Sequence, residues 1–178
     1  MKYPIGIQTF EEIITGGYVY VDKTALVYNL VDTGKYYFLS RPRRFGKSLL
    51  TTTLESYFLG RKDLFKGLAI EAMETEWLEY PVFHLDFTGE SYTSEETVLS
   101  VINQFLTSQE AIFGKEESET TMGLRFNGVV TRAFKQTGRQ AVILIDEYDK
   151  PLTDTIGQPE LQEKIRSILQ GLYGIMKK

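Results

Sequence analysis

The sequence predicts an α/β fold built on a mostly parallel sheet. Three apolar runs predict it. Ala141-Val142-Ile143-Leu144-Ile145 is uninterrupted and ends in Asp146-Glu147, the pattern of a strand buried on both faces. Tyr36 to Leu39 is a shorter run of the same kind, and Val82 to Phe87 follows Pro81. Between them lie stretches with apolar residues at helical spacing, so strands and helices alternate, as a parallel sheet with crossover helices requires.

Composition sets the bounds. The chain has 178 residues, 42% hydrophobic and 25% charged, ordinary values for one globular domain with a sizeable core. A net charge of −4 gives no overall attraction to nucleic acid or an anionic membrane. There is no cysteine, which excludes disulfide and thiol chemistry. No run approaches the ~18 apolar residues of a membrane span. Met1 to Gly6 has no apolar leader core, so the cytoplasm is the expected compartment.

Each element has its own signal. Thr9 and Glu12 fit a capping box for a helix over residues 9–17, which Gly16-Gly17 ends. Tyr18 to Val21 has strand chemistry, and Asp22 can cap a helix over 23–33 that stops at Gly34. Residues 1–35 are thus expected as a helix-strand-helix extension of a single domain spanning 1–178. Leu64, Phe65, Leu68 and Ile70 suggest a short helix and a connection, and Trp77 and Tyr80 are expected under the sheet edge. His84, the lone histidine, has no partner for a metal site and reads as a strand residue. Thr93 and Glu96 form a second capping box for a helix to about residue 110. Residues 114–121 read as a solvated acidic loop. A further helix around Phe126 to Phe134 closes at Gly138. Pro159 opens the last helix, and Lys177-Lys178 suit its C-terminal dipole.

The most informative stretch is Ser40-Arg41-Pro42-Arg43-Arg44-Phe45-Gly46-Lys47-Ser48-Leu49. It joins a predicted strand to a helix whose apolar face carries Leu50, Leu54, Tyr57 and Phe58. Strand, loop, Gly-Lys-Ser, helix is the setting of a phosphate-binding P-loop. A helix N-terminus offers unpaired N–H groups and partial positive charge to an anion. Gly46 permits close backbone approach, Lys47 can bridge β- and γ-phosphates, and the Ser48 hydroxyl can ligate Mg²⁺. Arg43, Arg44, Phe45 and Leu49 complete the expected nucleotide-binding stretch. Arg41 stands where G-x-x-x-x-G-K-[ST] calls for glycine, so the loop is expected to differ in shape.

Apolar residues ending in Asp146-Glu147 form the second half of the pattern. In an open parallel sheet the strand ends share one rim, where ligands sit. Asp146 is the expected Mg²⁺ residue, and Glu147 the residue that orients or deprotonates a water, beside Lys47 as the other catalytic group. Asp149 is either a supporting residue or a turn residue before Pro151.

Val21-Asp22-Lys23-Thr24, Tyr37 to Ser48 with its Arg-Pro-Arg-Arg-Phe-Gly-Lys-Ser string, His84-Leu85-Asp86-Phe87, and Leu144 to Pro151 together resemble the bacterial AAA-ATPase-like family. The resemblance covers essentially the whole chain, and arginine at 41 matches that family's version of the loop. It implies a three-layer αβα P-loop NTPase with a catalytic glutamate, binding ATP and Mg²⁺. It also implies a fourth strand between the P-loop and Asp146 strands, so this chain is expected to be truncated before that central strand and its sensor residue. Members commonly continue into a C-terminal domain resembling PD-(D/E)XK nucleases, absent here, which the ATPase would regulate or drive. The expected partners are nucleotide and that domain, with a homo-oligomer left open. The alternative is a nucleotide-sensing interaction module with little turnover, and the segment around Asp22 is a weaker candidate for flanking the adenine. Direct nucleic-acid binding by this part of the chain is not supported, since no basic-aromatic stripe exists.

Overall fold

A computed structural model describes residues 1–176 apart from Arg41, Arg43 and Arg44. The chain divides into two compact units, Met1–Tyr80 and Pro81–Lys178. Among the described residues no helix is long and apolar enough to cross a membrane.

The first unit is helical. It holds α1 (Phe10–Thr15), α2 (Thr24–Thr33) and α3 (Lys47–Phe58), then two 3₁₀ turns at Lys62–Phe65 and Ala69–Ala72. Phe10, Val27, Leu64, Phe65 and Ile70 form its core. The core is largely aromatic: Phe65 lies 4.8 Å from Phe10 and 5.2 Å from Trp77, ring centre to ring centre. Within this unit Trp77 packs on Tyr57 and Phe65, and Tyr80 on Phe58.

Two expected strands are absent from this unit. Tyr18 to Val21 forms no regular strand; Val19 makes one backbone bond to Lys2, while Tyr20 packs edge-on against Phe10. Tyr36 to Leu39 likewise lies outside any strand, with Tyr36 73% and Phe38 71% exposed. A strand needs a neighbouring ladder, and the two described strands both lie in the second unit. Tyr37 instead turns back, its hydroxyl donating to the Leu30 carbonyl at 2.6 Å in the last turns of α2. Thr9 precedes α1 as expected but its side chain caps nothing.

The second unit is an α/β layer pair. β1 (Val82–Asp86) and β2 (Val142–Asp146) run parallel, paired from Val82 with Val142 to Asp86 with Asp146. The crossover between them carries α4 (Glu95–Phe113) and α5 (Met122–Thr137); α6 (Lys150–Thr153) and α7 (Pro159–Met176) follow. Phe83 and Leu85 are buried against Ile102, Val129 and Leu169 of α4, α5 and α7, with Ile143 and Ile145 beside them. The expectation that β2 is buried on both faces is corrected: Val142 to Ile145 are all half-buried. Within this unit the helices pack on the Phe83/Leu85 face. The parallel pair and its helices make an α/β arrangement, as expected.

The N-cap of α4 is Ser94, one residue beyond the expected Thr93, and accepts from the Thr97 amide. Gly138 ends α5 in left-handed geometry, as expected. The acidic loop after α4 is solvent-exposed as expected apart from Glu119, which anchors it. Glu119 is buried and ion-paired with Arg132, which also donates to the Gly114 carbonyl at 2.7 Å. Gly128 makes room for this pair, since a Cβ there would lie 1.7 Å from a Glu119 oxygen. Lys177 and Lys178, expected at the end of α7, lie outside the described residues.

One more buried pair ties α4 to α5. Arg125 donates to both oxygens of Glu110, at 2.6 and 2.9 Å, and also to Asn103 and Thr107. The Arg125 bonds hold the Glu110 carboxyl below the usual carboxylate range, against the opposing effect of burial. A depressed native pKa gives stability that is full above the unfolded value of about 4.3 and is lost as pH falls through and below it. Arg125→Ala is expected to cost about 2–4 kcal/mol at pH 7 by urea unfolding, because it strands a buried carboxylate. That deficit should shrink at pH 3, where Glu110 protonates. An equal deficit at both pH values would mean that the arginine acts through packing alone.

Candidate functional site

In the first unit the candidate residues stand at the start of α3. Gly46 stands immediately before the helix with φ +74°, in the left-handed region. A Cβ there would meet nothing within 4 Å, so glycine is favoured by backbone conformation rather than by crowding. Its N-cap, Gly46, has no side chain to cap the first turn, and among the described residues no other side chain does so. Helix bonding begins with the Leu50 amide, which donates to the Gly46 carbonyl at 3.0 Å. The amides before it stand at the positive end of a 12-residue helix, chemistry that suits an anion. Lys47 and Ser48 are half-buried on this turn, Leu49 packs toward the aromatic core, and Phe45 is exposed. Arg43 and Arg44, also expected in the nucleotide stretch, lie outside the described residues, as does Arg41.

In the second unit the candidate residues stand at the end of β2. Asp146 is 6% exposed, and one carboxylate oxygen accepts from the Glu147 amide at 2.9 Å. Among the described residues its other oxygen accepts no hydrogen bond. Glu147 has φ +49°, one of two left-handed non-glycine residues in the described chain. Such a conformation is costly for glutamate and is commonest where function fixes it. The turn is held from both sides. Lys150 donates its amide to the Glu147 carbonyl at 2.9 Å, and the Tyr173 hydroxyl of α7 donates to the Tyr148 carbonyl at 3.2 Å. Asp149 precedes α6 and makes no side-chain cap; it serves the turn.

A scan against protein families gives a match over residues 4–178 to AAA-ATPase_like, a family described as predicted AAA-ATPases. The chain belongs to the AAA-ATPase-like family. It is 39% identical over 177 residues to the uncharacterized protein in the vnfD 5′ region of Azotobacter chroococcum mcd 1, covering 99% of this chain. The chain spans about a third of that relative, 34% of its length. No solved structure matches it.

Two residues of this AAA-ATPase-like chain were undervalued by the sequence reading. Asp86 ends β1 in register with Asp146, so two strand-terminal carboxylates stand at one rim. Asp86 accepts from the Thr88 amide and hydroxyl, at 2.8 and 2.6 Å. The signal was present: both apolar runs end in aspartate. Asp22 was read as a helix cap with an adenine-flanking role. It does accept from the Thr24 amide at 2.8 Å, but its other oxygen accepts from the Ala69 amide at 2.7 Å. Thr24, fully buried, accepts from the Ile70 amide. These bonds commit Asp22 and Thr24 to holding the second 3₁₀ turn.

Mg²⁺ asks for oxygen ligands from few protein residues, with water and phosphate supplying the rest. Among the described residues no group of three or more carboxylate or histidine side chains is assembled as a closed metal site. The half-used Asp146 carboxylate fits an open site of that kind. The backbone at Gly46 supports a direct test. Gly46→Ala and Gly138→Ala both force alanine into left-handed geometry and should each cost about 1 kcal/mol in thermal unfolding. A markedly smaller loss at Gly46 would mean that its turn can relax and is not preset.

Proposed function

We propose that this chain binds ATP with Mg²⁺ and hydrolyses its γ-phosphate. The observation that carries the reading is the uncapped first turn of α3, opened by left-handed Gly46 and bearing Lys47 and Ser48. In this reading the amides from Arg44 to Leu49 and the Lys47 ammonium hold the phosphates. Arg43 or Arg44 offsets charge on the γ-phosphate. Ser48 and Asp146 would hold Mg²⁺, which when bound neutralises charge on the phosphate oxygens. Glu147 orients the attacking water and takes its proton. Its strained backbone supports that role, because the turn fixes the carboxylate's direction at a conformational cost.

Family membership supports nucleotide binding in general terms. The finer reading makes this chain one P-loop domain of a cytoplasmic protein, with a three-layer sheet completed by a further central strand. It also gives the longer protein a nuclease-like C-terminal domain that nucleotide state regulates or drives.

Calorimetry with ATP, with and without Mg²⁺, tests the binding claim. Lys47→Ala is expected to weaken binding at least about tenfold, a loss of roughly 1.4 kcal/mol. Glu147→Gln should bind ATP normally but hydrolyse it about 10²-fold or more slowly in single-turnover assays. Tight binding by the wild type with no turnover in the full-length protein would favour the sensing module. Unchanged affinity in Lys47→Ala would overturn the phosphate assignment.

A further inference from the structure

The first unit holds a cavity of about 220 Å³ whose chemistry is opposite to that of a phosphate site. It is bounded by α2 (Tyr28, Val31, Asp32), the end of α3 (Tyr57, Phe58) and the segment carrying Glu74, Glu76, Leu78 and Tyr80. Among the described residues the lining contains three carboxylates, three tyrosines and a phenylalanine, and no lysine or arginine. We propose that this cavity binds an organic cation, an alkylammonium or guanidinium head group.

Four features carry the proposal. First, the rings form a fixed wall. Phe58 lies edge-on to both Tyr57 and Tyr80, with centres 5.2 and 5.5 Å apart. A ring face attracts a cation, most strongly where water is excluded. Second, Glu74 accepts two hydrogen bonds that favour its ionised form. The Tyr57 hydroxyl donates to one oxygen at 2.5 Å and the Glu76 amide to the other at 2.8 Å. Burial alone would raise the Glu74 pKa, but these bonds outweigh it and leave the carboxyl below its ordinary value. Third, Asp32 and Glu76 are exposed and stand at the cavity's edge, where they add negative charge without a desolvation cost. Fourth, α3 ends at Phe58, so its negative dipole end meets this cavity while its positive end lies at Lys47. One helix thus presents an anion-attracting end and a cation-attracting end, about 16 Å apart along its axis.

Size narrows the ligand. A volume of 220 Å³ equals that of about seven liquid waters, room for a choline-sized molecule or the end of a basic side chain. Aromatic rings do not ligate bare metal ions, so the wall selects an organic cation over Mg²⁺ or Ca²⁺. The head group could arrive as a free amine or on a basic peptide.

Trp77, the sole tryptophan, lies 5.9 Å from Tyr57 and gives an intrinsic reporter. The chain would be titrated at constant ionic strength with choline, with N-acetyl-arginine amide, and with a capped Gly-Gly-Arg-Gly peptide, while Trp77 fluorescence is followed. A saturable change with at least one probe is expected. The double variant Asp32→Asn/Glu76→Gln alters only exposed carboxylates and should weaken that binding about fivefold or more. Glu79→Gln, exposed and outside the lining, should not. Tighter binding of the peptide than of the free amide would assign the site to a basic protein segment; equal or tighter binding of the free amines would assign it to a small molecule. Non-saturable responses to all three probes, or equal affinity in the double variant with an unchanged melting profile, would overturn the proposal. MgCl₂ reproducing the same saturable change at equal charge would also overturn it, as simple charge screening.

Discussion

The second unit depends on the in-register parallel pairing of β1 and β2. Parallel strands carry their side chains in step, so pairing Val82 with Val142 fixes every later pair. The buried face then holds Phe83, Leu85, Ile143 and Ile145 together, and three helices close over it. The same register brings Asp86 and Asp146 to one rim. A slip of one residue would turn Phe83 and Leu85 away from the helices and separate the two carboxylates. Core and candidate chemistry are therefore set by one alignment.

The first unit solves a different problem. Among the described residues it has no regular strand, so its loops need another source of order. Asp22 and Thr24 supply it by satisfying the amides of Ala69 and Ile70, which places Ile70 in the core against Phe65 and its neighbours. Left unpaired, the buried Ile70 amide would cost about 1–3 kcal/mol. The helix that carries Lys47 is fixed within this frame by Thr52, whose hydroxyl accepts from the Phe10 amide and donates to the Gln8 carbonyl. The start of α3 thus owes its position to contacts far from its own glycine.

How much of this the sequence showed depends on the range of the contacts involved. Helices with a strong local signal were legible: Gly46-Lys47-Ser48 opens α3, Gly138 closes α5 and Pro159 opens α7. Strands were less so, because apolar runs reveal β-forming chemistry but not a partner. Val142 to Asp146 found one; Tyr36 to Leu39 and Tyr18 to Val21 did not. For the candidate site, Gly46 and Glu147 both proved conformationally special, yet only glycine announces left-handed geometry in its letter. The buried charge pairs were invisible for the same reason. Glu119 read as part of a solvated acidic stretch because its partner, Arg132, is distant along the helix that follows.

The exposed run from Tyr36 to Leu39 has a practical consequence. Four aromatic or aliphatic residues in succession, without proline or charge among them, form a β-prone surface. The same residues that suit a strand in a sheet can recruit strands from other molecules. Lys35 on one side and Arg41 on the other act as gatekeepers, since like charges must be stacked before the run can self-associate. Charge repulsion from those flanking cations opposes self-association through this run, and salt that screens them weakens that opposition.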